Sequence, residues 1–127
     1  MSQQVEATAV RVARRNASER RSVAEFLAAD AADGLAQVAT VVPPEDAVAI
    51  LDPPRQGLTV EARKALASWS PRRVIYVSCD CATQARDLKD LTDAGYTLKS
   101  ATPFDLFPQT RHLEVVVTLE RDLGPGI

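Results

Sequence analysis

Short apolar runs bounded by polar or turn-forming residues alternate along this chain with longer stretches whose apolar residues recur every three or four positions. The first pattern belongs to buried strands, the second to helices. From Val5 to Arg21, Ala9, Val12 or Ala13, and Ala17 make a narrow apolar stripe among arginines, which predicts a helix. Ser22 to Ala29, with Val23, Phe26 and Leu27, reads as a strand closed by Asp30, and an alanine-rich helix over about Ala31 to Val38 follows. After Pro43-Pro44, Ala47 to Leu51 is wholly apolar and ends in Asp52-Pro53-Pro54-Arg55-Gln56-Gly57. Thr59 stands where it can cap a helix through Trp69. Val74 to Val77 is a second apolar strand and runs into Ser78-Cys79. Thr83 is read as the cap of the next helix, which carries Ala85, Leu88 and Leu91 and ends near Gly95. Tyr96 to Ser100 and Leu113 to Leu119 are the last two strands, with a proline-bounded loop, Pro103 to Pro108, between them.

Strands and helices alternating at this spacing predict an α/β domain of parallel βαβ units covered on both faces. The last two strands, with no helix between them, form an antiparallel pair. No repeat, low-complexity tract or linker divides it, so residues 1–127 are read as one domain with a frayed tail over 122–127. Apolar residues make up 46% of the chain, enough for a core, and the net charge of −2 provides no basic field for nucleic acid. Two cysteines one residue apart form no disulfide framework, no apolar run approaches the ~20 residues of a membrane span, and no signal peptide is recognised. These features read as a reduced, cytoplasmic protein without a membrane partner. No glycine-rich turn follows a first strand, as dinucleotide-like ligands usually require.

Three polar groups stand at the ends of apolar strands: Asp30, Asp52 and Cys79. At the carboxyl edge of a parallel sheet, where open α/β folds bind ligands, a helix starting just after Cys79 would favour its thiolate. Each has a plainer alternative. Asp30 can be a helix cap, Asp52 a turn residue paired with Arg55, and Cys79 an inert buried thiol. Near the end of the chain the single histidine, His112, lies two residues before Glu114, on the face of a strand opposite Leu113, Val115, Val117 and Leu119. Glu114 must reach solvent, a partner or a substrate, because a buried unpaired carboxylate is costly. A solvated edge strand is the alternative. Cys79, Cys81 and His112 lack metal-site spacing, and Cys-x-Cys is not the usual redox pattern, although a bridge between the two thiols would make a redox protein.

Taken together, Leu51-Asp52-Pro53-Pro54-Arg55-Gln56-Gly57, Tyr76-Val77-Ser78-Cys79-Asp80 with Thr83-Gln84-Ala85-Arg86-Asp87-Leu88, and Asp105 to Glu114 closely resemble the RNA uridine-5-methyltransferase family. The resemblance covers roughly Ala9 to Arg121 and corresponds to the later part of that family's S-adenosylmethionine-dependent catalytic domain. It implies a Rossmann-like class I methyltransferase sheet, mostly parallel with a C-terminal antiparallel pair. It implies transfer of a methyl group to C5 of a uridine in tRNA or rRNA, with the RNA as substrate partner. Cys79 matches the nucleophile that adds to uracil C6, and Glu114 the base that removes the C5 proton. Asp52 matches the aspartate at the cofactor and uracil pocket, with Arg55 and His112 beside the substrate, and Asp30 resembles the acid that contacts the cofactor adenine.

Two departures accompany the resemblance. Cys81 stands where the family usually has proline. Gln4 falls where the ribose-binding acid is expected, and the strand and glycine loop preceding it have no counterpart, so the sheet is expected to lack its first strands and part of the cofactor site. The alternative function is therefore an inactive remnant or an interaction module.

Overall fold

In the computed structural model the described residues are 3–20, 24, 25, 27–105 and 113–121. The elements are α1 (Gln3–Glu19), α2 (Ala31–Ala39), a 3₁₀ turn (Pro44–Asp46), β1 (Val48–Leu51), α3 (Val60–Trp69), β2 (Arg73–Ser78), α4 (Cys81–Asp93), β3 (Tyr96–Phe104) and β4 (Glu114–Arg121). The strands form one sheet in the order β1-β2-β4-β3. β1 and β2 pair in parallel across the α3 crossover, while β4 lies antiparallel to both β2 and β3. Three strands therefore share one direction and β4 runs against them, with the expected antiparallel pair at the end of the chain.

The period-two pattern decides which side of the sheet is buried. Val74 and Tyr76 of β2, Val117 and Leu119 of β4 and Ala49 of β1 point into a core completed by Ala62 and Leu66 of α3 and Leu91 of α4. Ala32 and Leu35 of α2 pack on its margin. Helices α2, α3 and α4 thus all serve one face. On the other face, Ile50 is 71% exposed and Val48 43%. The expectation of cover on both faces does not hold among the described residues, because the helices that link these strands contribute to the same core and α1 contributes no residue to it.

Other details depart from the sequence reading. Ser22 to Ala29 is not a strand at its described positions, 24, 25 and 27–29, while Ser22, Val23 and Phe26 lie outside the described residues. Over residues 9–19 of α1 the half-buried positions are Val10, Ala13 and Ala17, whereas Ala9 and Val12 are exposed. β3 runs four residues beyond Ser100, because β4 offers a partner to every residue from Ser100 to Phe104. Asp80 rather than Thr83 caps α4, accepting from the Ala82 and Thr83 amides at 3.0 and 3.1 Å. An acid ahead of the first helical turn outcompetes a threonine already inside it. The buried side of α4 consists of Gln84, Asp87 and Leu91, and Ala85 is exposed. The Thr59 cap on α3 forms as expected, accepting from the Ala62 amide at 3.1 Å. Gly95 adopts φ +109° just after α4. His112 and the tail 122–127 lie outside the described residues.

Candidate active site

Strand direction gathers the candidate residues at one edge of the sheet. β1 ends at Leu51, paired with Tyr76, so Asp52 emerges beside the last residues of β2. The final rung between β2 and β4 pairs Ser78 with Val115, and one step beyond it stand Cys79 on one strand and Glu114 on the other. Asp52, Cys79 and Glu114 are separated by as many as 62 residues in sequence, yet the register carries them to the same end of three adjacent strands.

Local hydrogen bonds shape the turn that holds Cys79. The buried Ser78 Oγ accepts from the Asp80 amide and donates to the Asp80 carbonyl, both at 3.0 Å, closing a tight bend around the thiol. Cys79 is half-buried, Cys81 at the start of α4 is exposed, and both are free thiols. The Thr83 and Ala82 amides, with the nearby positive charge of Arg55, hold the Asp80 carboxyl below its ordinary value. The cap therefore stays ionised well into the acid range, and α4 keeps its start directly behind Cys79.

Asp30 and Asp52 line a cavity of about 820 Å³. Its walls include Ala29, Ile50, Leu51 and Pro53, and Asp33 and Glu61 also line it, so four acidic side chains stand among apolar surfaces. Asp30 is also the cap of α2, its Oδ1 accepting from the Asp33 amide at 2.8 Å. The plainer reading of Asp30 is thus realised, and it coexists with a place in the cavity wall. Asp52 and Arg55 are exposed, and Glu114 is half-buried at the head of β4. The structure brings Asp52, Cys79 and Glu114 to one edge and Asp30 to the cavity beside Asp52.

The sequence reading missed a polar network under this edge. Asp87, fully buried, accepts from Tyr76 Oη at 2.5 Å, from the Leu58 amide at 2.8 Å and from Arg63 at 2.7 Å, with Arg86 at 3.1 Å. Burial pushes the Asp87 carboxyl up, but the hydrogen bonds from Tyr76, the Leu58 amide, Arg63 and Arg86 outweigh it and hold the group below its ordinary value. Burial, followed by the hydrogen bond and charge of Asp87, raises the Tyr76 phenol above its own. Gln84, also buried, donates from Nε2 to the Tyr76 and Val115 carbonyls at 3.3 and 3.1 Å, bridging the Cys79 strand to the Glu114 strand. The available signal was the placement of Gln84 and Asp87 seven and four positions before Leu91, polar residues on the stripe that faces the core.

A family model described as tRNA (Uracil-5-)-methyltransferase matches residues 45–122, which include β1 to β4 and all three candidate residues at the sheet edge. The chain belongs to the tRNA (uracil-5-)-methyltransferase family. Among curated members and relatives, an uncharacterized RNA methyltransferase of Thermotoga maritima is 54% identical over 70 residues, 55% of this chain and 16% of its own length. An uncharacterized RNA methyltransferase of Streptococcus pyogenes serotype M18 is 39% identical over 114 residues, 90% of this chain and 25% of its own. Among solved structures, the Pyrococcus abyssi tRNA (uracil-54, C5)-methyltransferase in complex with S-adenosyl-L-homocysteine superposes with a TM-score of 0.71 at 34% identity. That match covers 89% of this chain and 26% of the archaeal one. The chain therefore spans about a quarter or less of the length of these family relatives. Among the described residues there is no group of three or more His, Cys, Asp or Glu that could hold a metal, and no helix long and apolar enough to cross a membrane.

Proposed function

We propose that this chain carries the nucleophile and the base for S-adenosylmethionine-dependent transfer of a methyl group to C5 of a uridine in tRNA or rRNA. The observation that carries the reading is the register of β2 and β4, which brings Cys79 and Glu114 to adjacent positions at one sheet edge in a chain of this family.

The residues around the 820 Å³ cavity fit the cofactor in kind. Apolar walls suit an adenine ring, and the Asp30 and Asp52 carboxylates suit N–H donors and a cationic ligand. When bound, S-adenosylmethionine supplies an electrophilic methyl group on sulfur. The protein's part is to make the uracil accept it. The Cys79 thiolate adds to C6, moving the C5–C6 electron pair into an enolate whose C5 is nucleophilic. Once C5 carries the methyl group, Glu114 takes the C5 proton, the double bond re-forms and the thiolate leaves C6. Asp52, Arg55 and His112 orient the base, which must leave its stack to enter.

Glu114→Gln tests the division of labour. It leaves addition intact but cannot accept the C5 proton, so a covalent complex between Cys79 and methylated RNA is expected to accumulate with ordinary uridine RNA. Cys79→Ser is expected to form none. Equal, undetectable adduct in the wild type and Glu114→Gln proteins, with methyl transfer proceeding in Cys79→Ser, contradicts the assignment.

One observation favours a second reading, a binding module without catalysis: Ile50 and Val48 stand bare on the uncovered face. Calorimetry separates the two. A cooperative unfolding transition that S-adenosylmethionine does not shift supports the module, whereas a rise in Tm with cofactor supports the enzyme.

A further inference from the structure

The loop that follows Asp52 is tied to α4 at four backbone groups. Thr83 Oγ1 donates to the Arg55 carbonyl at 2.7 Å, Arg86 donates to the Gln56 and Leu58 carbonyls at 2.8 and 3.2 Å, and Asp87 accepts from the Leu58 amide at 2.8 Å. Arg63 donates to the Leu58 carbonyl as well, at 2.9 Å, while holding Asp87. Gly57 sits inside this lock with φ +75°, and a Cβ there would lie 2.5 Å from Asp87 Oδ2. Two neighbouring prolines already stiffen the loop at 53 and 54, so these bonds fix its position against the helix. The same helix begins at the Cys79 turn, and the charge of Arg55 acts on Asp80 in that turn.

From these bonds we infer that Asp87 is a positioning residue: it anchors loop 52–58 to α4 and so sets where Asp52 and Arg55 stand relative to the Cys79 turn. The inference rests on the reading of Cys79 as the reactive thiol. Asp87 is suited to the task because it is buried and, as a carboxylate, only accepts hydrogen bonds. It can therefore collect donors from α3 (Arg63), β2 (Tyr76), its own helix (Arg86) and the loop (Leu58) at one point. Arg86 and Thr83 are its auxiliaries on the loop side. The network lies beneath the sheet edge, so Asp87 acts on the chemistry only through the loop it holds.

The test needs neither RNA nor cofactor, and its outcome is therefore independent of whether methyl transfer is found. In a Cys81→Ser background, which leaves Cys79 as the single thiol, amide hydrogen exchange at Leu58 is compared together with the ratio of Cys79 alkylation rates by anionic iodoacetate and neutral iodoacetamide at one pH. The proteins are the parent, Asp87→Asn, Arg86→Gln and Thr83→Val. The expected result is exchange at Leu58 at least tenfold faster in Asp87→Asn and Arg86→Gln. The iodoacetate-to-iodoacetamide rate ratio falls in all three variants, least in Thr83→Val, as the Arg55 charge that draws the anionic reagent leaves the turn. A fall in stability alone would move neither this ratio nor Leu58 exchange relative to other core amides. Should Asp87→Asn not fold, Arg86→Gln and Thr83→Val carry the comparison, since Arg86 and Thr83 both reach the surface. Unchanged Leu58 exchange overturns the inference. Faster exchange with an unmoved rate ratio also overturns it, because Asp87 would then be a structural anchor that does not set where Arg55 stands.

Discussion

Asp87 and Tyr76 give the molecule an acid limb and an alkaline limb of opposite sign. The Asp87 carboxyl is held below its ordinary value in the folded chain, so the unfolded chain binds more protons at low pH. Its contribution is complete above the ordinary carboxyl value near ~3.9 and is lost as pH falls through the folded value. The Tyr76 phenol is raised, so its contribution is complete below the ordinary phenol value near ~10 and is lost as pH climbs toward the folded one. Urea denaturation from pH 3 to 7 is expected to show stability rising with pH, with a shallower slope in Asp87→Asn. At neutral pH that substitution is expected to cost about 3 kcal/mol or more, since it leaves Arg63 and Arg86 facing an amide in a buried site. Gly57→Ala is expected to cost roughly 1–3 kcal/mol through its positive φ and its contact with Asp87. Tyr76, Arg86 and Asp87 stand in the runs that carry the family resemblance, but nothing in those runs shows that they meet. The partners in this network come from α3, β2, α4 and a loop, and only the packed fold brings them together.

At the level of elements, the sequence was legible where the signal is local. Ala47 to Leu51, Val74 to Val77 and the helix from Thr59 to Trp69 appear with boundaries shifted by a residue or so, because apolar runs and a capping hydroxyl act within a few positions. The same logic misplaced the start of α4. Thr83 and Asp80 both suit a cap, and Asp80 takes the role because it precedes the turn whose amides need acceptors. Thr83 turns instead to the Arg55 carbonyl. Two apparently equivalent threonines should therefore differ in thermal and urea denaturation. Thr59→Ala removes a cap and is expected to cost about 1 kcal/mol. Thr83→Ala leaves the α4 cap in place, and its effect is expected to be confined to loop 52–58. The stretch Ser22 to Ala29 shows the limit of local reading, for at its described positions, 24, 25 and 27–29, no strand forms.

Over the whole molecule, the candidate site was legible to the extent that strand ends are legible. Asp52 and Cys79 stand after apolar runs and Glu114 interrupts one, and parallel topology does the rest by bringing strand ends together. The sequence did not give the one-sided cover of the sheet, which depends on which face each crossover helix takes. That asymmetry sets two unequal sensitivities. Leu66→Ala, in the buried face, is expected to cost about 2–5 kcal/mol by leaving a cavity. Ile50→Thr, on the bare face, is expected to change stability by less than about 0.5 kcal/mol in the same denaturation assay. Should the two costs prove similar, the bare face is covered in solution.

The central claim is that Cys79 is the nucleophile of a uracil C5 methyl transfer, and 5-fluorouridine-containing tRNA tests it most directly. Fluorine at C5 leaves no proton for Glu114 to remove, so the adduct formed by Cys79 cannot break down. The chain is incubated with this RNA and S-adenosylmethionine, both alone and in place of the matched segment of the streptococcal relative. A covalent protein–RNA complex is expected in at least one of these forms, mapped by mass spectrometry to Cys79 and absent from Cys79→Ser. No complex in either form, or one mapped to a different residue, contradicts the account.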